Sequence, residues 1–286
     1  MGKSARKAGK ISELSGRQHG YVARRQLLAL GVSRSAIARR TDLIVTRHKG
    51  VYAVGHAQTT PIALAHAAVL ACGPDAVLSH ESAAAVWGLR RWPATPEVTV
   101  PERRSRPGVD SHRRTTVSPR DVTTNYGIRV TTVIRTIIDI EPRLNDSQLI
   151  RAIQDARVAH HLKASKLDEL LLRCRRAREL IDPSQNPTRS KYEDDFVAWA
   201  RRHGLPTPRI NVKVNGKEVD ALFPEERVIV ELDSVEFHDD PISFRRDRRR
   251  DRGSAAHGFV TVRLLKEDLT DEDAEELHQT LAQRRP

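Results

Sequence analysis

The chain has 286 residues, of which 49 are Lys or Arg and 37 Asp or Glu, for a formal net charge of +12. That length exceeds one ordinary core and predicts two or three domains. No apolar run approaches the ~18 residues of a membrane span, and the two cysteines, Cys72 and Cys174, lie far apart with no histidine at ligand spacing; these facts give no support to a membrane-spanning helix, a disulfide framework or a cysteine-ligated zinc site, and predict a soluble cytoplasmic protein with two buried thiols.

Charge is unevenly placed. Residues 1–60 hold twelve Lys and Arg against Glu13 and Asp42, residues 1–183 hold 31 basic against 16 acidic, and residues 184–286 hold 18 against 21. The positive footprint therefore belongs to the N-terminal part, and a polyanion such as double-stranded DNA is the expected partner there.

Residues 1–10 carry Lys3, Arg6, Lys7 and Lys10 with no apolar signal core behind them, and read as a disordered basic arm. From 11 to 60 the pattern is a helix over Ile11–Gln18, a second over Ala23–Leu30 with Leu27, Leu28 and Leu30 on one face, a turn at Gly31-Val32, and a third helix over Arg34–Arg40 with Ser33 as its N-cap. A helix, a glycine turn and a basic helix form a helix-turn-helix arrangement. Ile44–Arg47 and Val51–Val54 flank His48-Lys49-Gly50 and predict a two-stranded wing with a basic tip. The domain is thus expected to be a winged helix, with Arg34, Arg39, Arg40, Arg47 and Lys49 contacting DNA. Gly31-Val32-Ser33 together with Gly50-Val51-Tyr52-Ala53 resembles the N-terminal domain of AbiEi-type antitoxins. That resemblance implies DNA binding, and a toxin or a second copy of the chain as further partner.

Residues 61–181 are expected to form an α/β middle domain. Ala63–Cys72 is an alanine-rich helix, Ser79-His80-Glu81-Ser82 opens another that runs to Leu89, and Glu97–Pro101 reads as a strand. A basic loop, Arg103 to Pro107, leads to a short strand near Arg113–Thr116; Ile128–Thr132 and the helix Val133–Asp139 follow. Ser79-His80 and Arg135-Thr136 resemble the corresponding region of AbiEi-like proteins. Ser79-His80-Glu81 is read as a cap, since sequence neighbours on a helix start do not supply triad geometry. Helices over Asp146–His160 and Ser165–Leu180 close the domain, with Leu167, Leu170, Leu171, Leu172 and Leu180 as core.

Asp182–Pro187 is a turn-rich linker into the C-terminal domain, 182–286. Asn215-Gly216, flanked by Ile210–Val214 and Glu218–Phe223, is a strong hairpin signal, and Pro224-Glu225-Glu226 turns the chain into a third strand, Arg227–Asp233. Side chains alternate along a strand, so Glu231 and Asp233 point the same way, and antiparallel pairing brings Asp220 against Glu231. Carboxylates that close repel unless a cation lies between them. Asp271–Gln283 is a structural last helix with an acidic start.

Thr188–Leu265 resembles the PD-(D/E)XK nuclease superfamily, in particular relatives of very-short-patch-repair endonucleases. The matched positions are Glu193 on a helix before the hairpin, Asp220, Glu231-x-Asp233, His238, Asp247-x-x-Arg250-Asp251 on an expected helix, and Gly258–Arg263 leading into a last strand. The resemblance implies a restriction-endonuclease-like α/β domain, Asp220 and Glu231 as ligands for Mg²⁺ or Mn²⁺, and phosphodiester hydrolysis. Asp233 stands where the superfamily places lysine, and Ser234 where relatives place glycine. Asp233 or His238 would orient or deprotonate water, Glu193 would complete the outer shell, and Arg245 or Arg250 would grip phosphate. Ser190-x-x-Glu193 also fits a helix capping box, and the run Arg245–Asp251 also fits a solvated helix face. The alternative function is a non-catalytic repressor or antitoxin whose nuclease fold is degenerate.

Overall fold

Three sheets and the helices between them make a mixed α/β protein that divides into two units, Met1–Leu144 and Asn145–Pro286. The computed structural model describes residues 3–40, 42–45, 48–102, 106–114, 117–233 and 257–284. His238, Arg245 and Arg250, the expected helix around Asp247 to Asp251, and Arg47 at the wing lie outside the described residues. Among the described residues no helix is long and apolar enough to cross a membrane.

The first unit opens with α1 (Lys3–Arg17), β1 (Tyr21–Ala23), α2 (Arg24–Ala29), α3 (Arg34–Arg39), β2 (Leu43–Val45) and β3 (Val51–Val54). The strands form an antiparallel sheet in the order β1-β3-β2. Ile11, Val22, Leu27, Val32, Ile37 and Leu43 bury together beneath these helices. Helix α1 starts at Lys3, so the segment expected to be a disordered arm is largely helical. Ile11, fully buried, anchors the helix, and the Lys, Ala and Arg residues before it extend it at little cost. Gly31 adopts φ +75°, and the Val32 N–H bonds the Leu27 carbonyl at 3.0 Å, which ends α2 and sets the direction of α3.

Next come α4 (Pro61–Cys72), β4 (Val77–Leu78), α5 (His80–Val86), β5 (Glu97–Val100), β6 (Asp110–Arg113), β7 (Val122–Asn125), β8 (Ile128–Thr131) and α6 (Val133–Ile140). The five strands form one mixed sheet in the order β6-β5-β4-β8-β7. Helix α4 is apolar all round because it is buried on two sides. Ala63, Ala67 and Leu70 meet Tyr21, Val51 and Ala53 of the first sheet, while Ala65, Ala68 and Val69 meet Val98, Ile128 and Val130 of the second. Strands β4 and β7 are too short or too polar to show a period in the sequence and form only through pairing. Strand β6 starts at Asp110, ahead of the expected Arg113–Thr116, because it pairs in parallel with β5 from Glu97↔Asp110 to Val100↔Arg113.

The second unit holds α7 (Asp146–Val158), α8 (Ala164–Arg173), α9 (Arg175–Leu180), α10 (Lys191–Arg202), β9 (Arg209–Val214), β10 (Lys217–Phe223), β11 (Val228–Asp233), β12 (Val260–Leu265) and α11 (Asp271–Ala282). The helix expected over 165–180 is two helices, since Cys174 between them is extended at φ −126°, ψ 101°. Leu167, Leu170 and Leu171 are buried as expected, but Leu172 is 79% exposed: the three consecutive helical positions 170–172 cannot all face one core. The sheet order is β12-β11-β10-β9, with β11 and β12 parallel and the other pairs antiparallel. Phe196, Trp199 and Ala200 of α10 and Ala274, Leu277 and Leu281 of α11 bury against Ala221, Phe223, Val228 and Val230 on one face of this sheet. Val219, Leu222 and Ile229 pack on the other.

Candidate metal and nucleic-acid sites

The Asn215-Gly216 turn has φ of +51° and +78°, the left-handed pair that a tight hairpin requires. It sets the β9–β10 register, and β10 pairs with β11 through Ala221↔Val230, Leu222↔Ile229 and Phe223↔Val228. Continued by one step, this register opposes Asp220 to Glu231. Because Ala221, Phe223, Val228 and Val230 point to the α10 side, alternation sends Glu231 and Asp233 to the opposite face. Val219 packs with Leu222 and Ile229 on that face, so β10 breaks its alternation at Asp220, whose carboxyl is placed by its contacts with the Leu232 N–H and Glu231. Asn211, at φ +50°, interrupts the alternation of β9, so Ile210 joins the α10-side core while Val212 and Val214 join the other face.

The Leu232 N–H donates to Asp220 Oδ2 at 2.7 Å, and the Asp220 and Glu231 carboxyls interact side chain to side chain. Burial raises the Asp220 pKa above its ordinary value; the Leu232 N–H opposes that shift, the Glu193 charge reinforces it, the Glu231 hydrogen bond opposes it, and the Asp233 charge reinforces it. A proton is therefore unusually well held among these carboxyls. The same arrangement would hold a cation.

Asp233 does not stand alone. Arg263 on β12, opposite Glu231 in the parallel register, bonds Asp233 Oδ2 at 3.2 Å. The sequence marks Arg263 only as the end of the Gly258–Arg263 match and gives it no role, because only the β11–β12 pairing brings it to Asp233. Tyr192 was also missed; its hydroxyl donates to the Leu264 carbonyl at 2.8 Å, and burial, then the charges of Asp268, Glu267, Asp233 and Asp220, push the phenol upward.

Glu193 is 8% exposed. Its carboxylate accepts the Arg189 N–H at 2.9 Å, the Ser190 hydroxyl at 3.1 Å and the Asn211 amide at 2.7 Å, while Ser190 Oγ accepts the Glu193 N–H at 3.1 Å. Capping of α10 is thus one task of Glu193, although its backbone bond goes to the residue before the cap. Its charge also reaches Asp220.

In the first unit Ser33 Oγ accepts the Ala36 N–H at 3.2 Å and caps α3. Arg34, Arg39 and Lys49 are exposed. Arg40 differs: its guanidinium forms a two-point pair with Asp42, with Nε–Oδ1 at 2.8 Å and Nη2 on Oδ2. Its charge is thereby partly neutralised, leaving Arg34 and Arg39 as the unengaged basic face of α3.

A second group lies at the start of α5. Ser79 was read as a cap, but its hydroxyl makes no cap bond. It instead accepts from Thr99 Oγ1 at 2.8 Å and meets His80 Nδ1 at 3.0 Å. Glu81 turns away to Arg90 at 3.4 Å. The His80 ring stacks on His112 of β6, centroids 3.7 Å apart and planes 24° from parallel. His112 Nε2 lies 2.7 Å from Glu97 Oε2, and Arg143 Nη1 is 3.0 Å from both Glu97 oxygens. Burial lowers the His80 pKa to about 4, the Asp139 charge opposing that shift. Burial would raise Glu97, but the bonds from His112 and Arg143 outweigh it and hold the carboxyl below its ordinary value. Each of His80, Glu97 and His112 offers a ligand atom, all within 4.8 Å of one another. These residues could hold a metal ion. The sequence hides them because Glu97 on β5 and His112 on β6 lie fifteen residues apart with no ligand motif.

No family model matches the chain. It is 28% identical over 101 residues to the uncharacterized proteins MT2308 and Rv2248 of Mycobacterium tuberculosis, strains CDC 1551 / Oshkosh and ATCC 25618 / H37Rv. The match covers 34% of this chain and 37% of each relative; the chain thus spans little more than a third of the curated relatives' length. No solved structure matches.

Proposed function

We propose that the protein binds double-stranded DNA and hydrolyses phosphodiester bonds in a Mg²⁺- or Mn²⁺-dependent reaction at the carboxylates of the second unit. The observation that carries this reading is the contact of the Asp220 and Glu231 carboxyls beside the Leu232 N–H, with Asp220 pushed upward by burial and by neighbouring negative charge. A hard dication suits such an all-oxygen donor set, and Asp220 and Glu231 are the residues to hold it. When bound, it supplies Lewis-acid polarisation of a phosphate and lowers the pKa of water. Asp233 serves as acceptor for the proton released by water, and Arg263 orients that carboxylate through its ion pair. Tyr192 and Glu193 border the same charges and keep the outer side of the site fixed.

The order α1-β1-α2-α3-β2-β3 with strands arranged β1-β3-β2 supports a winged helix, and the order β9 to β12 between α10 and α11 supports a restriction-endonuclease-like domain. In the first unit, exposed Arg34 and Arg39 on α3 and Lys49 near the wing supply a phosphate-facing surface.

Plasmid nicking with and without Mg²⁺ tests this reading. The wild type nicks in a metal-dependent way; D220A/E231A loses nicking and keeps DNA binding. A wild type that binds DNA but cleaves none with either metal leaves the second reading, a repressor or antitoxin that only binds. That reading draws on the Asp233–Arg263 pair, which occupies the position where a nuclease lysine would stand.

A further inference from the structure

We infer that His80, Glu97 and His112 form a binding site for a transition-metal dication of the Zn²⁺ class, separate from the carboxylates of the second unit. Two imidazoles and one carboxylate suit such borderline ions and not Mg²⁺, which prefers oxygen alone. The three ligands come from three elements, the start of α5, β5 and β6, so a shared ion would tie the edge of the five-stranded sheet to the helix above it. One position is left for water or an exogenous anion, since three protein ligands fall one short of a closed tetrahedral set.

The surroundings are those of a built site. His80 Nδ1 is held by Ser79 Oγ at 3.0 Å, and Ser79 is itself fixed by Thr99 Oγ1 at 2.8 Å. A hydroxyl partner on one ring nitrogen leaves the other to ligate, the usual outer support of a metal-bound imidazole. His80 is held at φ +50°, a left-handed backbone that is uncommon outside glycine. Access is from the edge strand: the His112 side chain is 23% exposed, against 7% for Glu97.

Two features must yield when the ion binds. Stacked rings aim their lone pairs side by side, so the more exposed His112 ring turns out of the stack. Arg143, whose side chain is 42% exposed, swings from Glu97 into solvent and frees both oxygens. Arg143 thus acts as a stand-in cation that competes with the metal, which makes its removal a gain-of-affinity variant.

Titration of the full chain with Co²⁺, read by visible absorption, tests the site. The D220N/E231Q background removes the other candidate ligands, so a signal that survives there belongs to the first unit. One ion is expected to bind in that background. H112Q and E97Q should each weaken it by more than the ~100-fold that outer partners cost, whereas R143Q should tighten it roughly two- to fivefold, the size of a partly exposed ion pair. H112Q lies on an edge strand, and circular dichroism checks that it folds. Absence of Co²⁺ binding in D220N/E231Q, a signal kept in both H112Q and E97Q, or an R143Q affinity no tighter than wild type overturns the site. Failure of plasmid nicking leaves this result untouched.

Discussion

Asp220→Asn should stabilise the metal-free protein, an effect opposite to that of most substitutions at a buried polar position. Asparagine keeps the shape of the side chain, and its carbonyl can still accept the Leu232 N–H that now bonds Asp220 at 2.7 Å. What is removed is a negative charge that burial and the charges of Glu193 and Asp233 disfavour. The folded carboxyl titrates above its ordinary 3.8. Its contribution to stability is therefore complete below the unfolded pKa and is lost as pH rises through the folded pKa. An upward shift lowers stability once pH exceeds the folded pKa, so removing the charge should raise the melting temperature and urea midpoint of this unit at pH 8 and change them little at pH 4. Thermal and urea melts in EDTA at pH 4 and pH 8 measure it. Added Mg²⁺ should reverse the ranking: at ten times its Kd it stabilises the wild type by about 1.4 kcal/mol and D220N hardly at all. A D220N protein less stable than wild type in EDTA at pH 8, or a wild-type melt that Mg²⁺ does not move, refutes the reasoning.

For DNA binding, R34A/R39A should lower the slope of log K against log salt by about 2, one unit per lost phosphate contact. R40A should change it less, because Asp42 already engages that guanidinium; equal effects from all three, measured by fluorescence anisotropy, would contradict that distinction. Phe196→Ala should destabilise the second unit by about 3–5 kcal/mol, since Phe196 is fully buried beside Trp199 and Phe223. A loss below ~1 kcal/mol in chemical denaturation would show that this helix does not anchor the sheet.

Much of the backbone is legible in local chemistry. The Asn215-Gly216 hairpin, the Ser33 cap of α3 and the apolar run of β11 are written in contiguous residues, because turns, caps and half-buried strands are decided by neighbours in the chain. The approach of Asp220 to Glu231 depends on more than alternation, because β10 changes face at Asp220 opposite Asn211 and the Asp220 carboxyl turns to the Leu232 N–H. Short-range signals failed where long-range pairing decides. Strand β1 exists only because β3 pairs with it, α1 extends through a basic segment because Ile11 is buried beneath it, and the helix after residue 164 breaks at Cys174 with no glycine or proline to announce it.

The sites divide in the same way. Alternation and the resemblance to a nuclease superfamily singled out Asp220, Glu231, Asp233 and Glu193 as candidates, and residue type and spacing placed the basic helix at Arg34 and Arg39. Tertiary structure alone brought Arg263 to Asp233, took Arg40 up in a pair with Asp42, and gathered His80, Glu97 and His112 around one point. Those groupings depend on strand register and helix placement across many residues. Coulomb and hydrogen-bonding forces act over a few ångströms in space, whatever the distance along the chain.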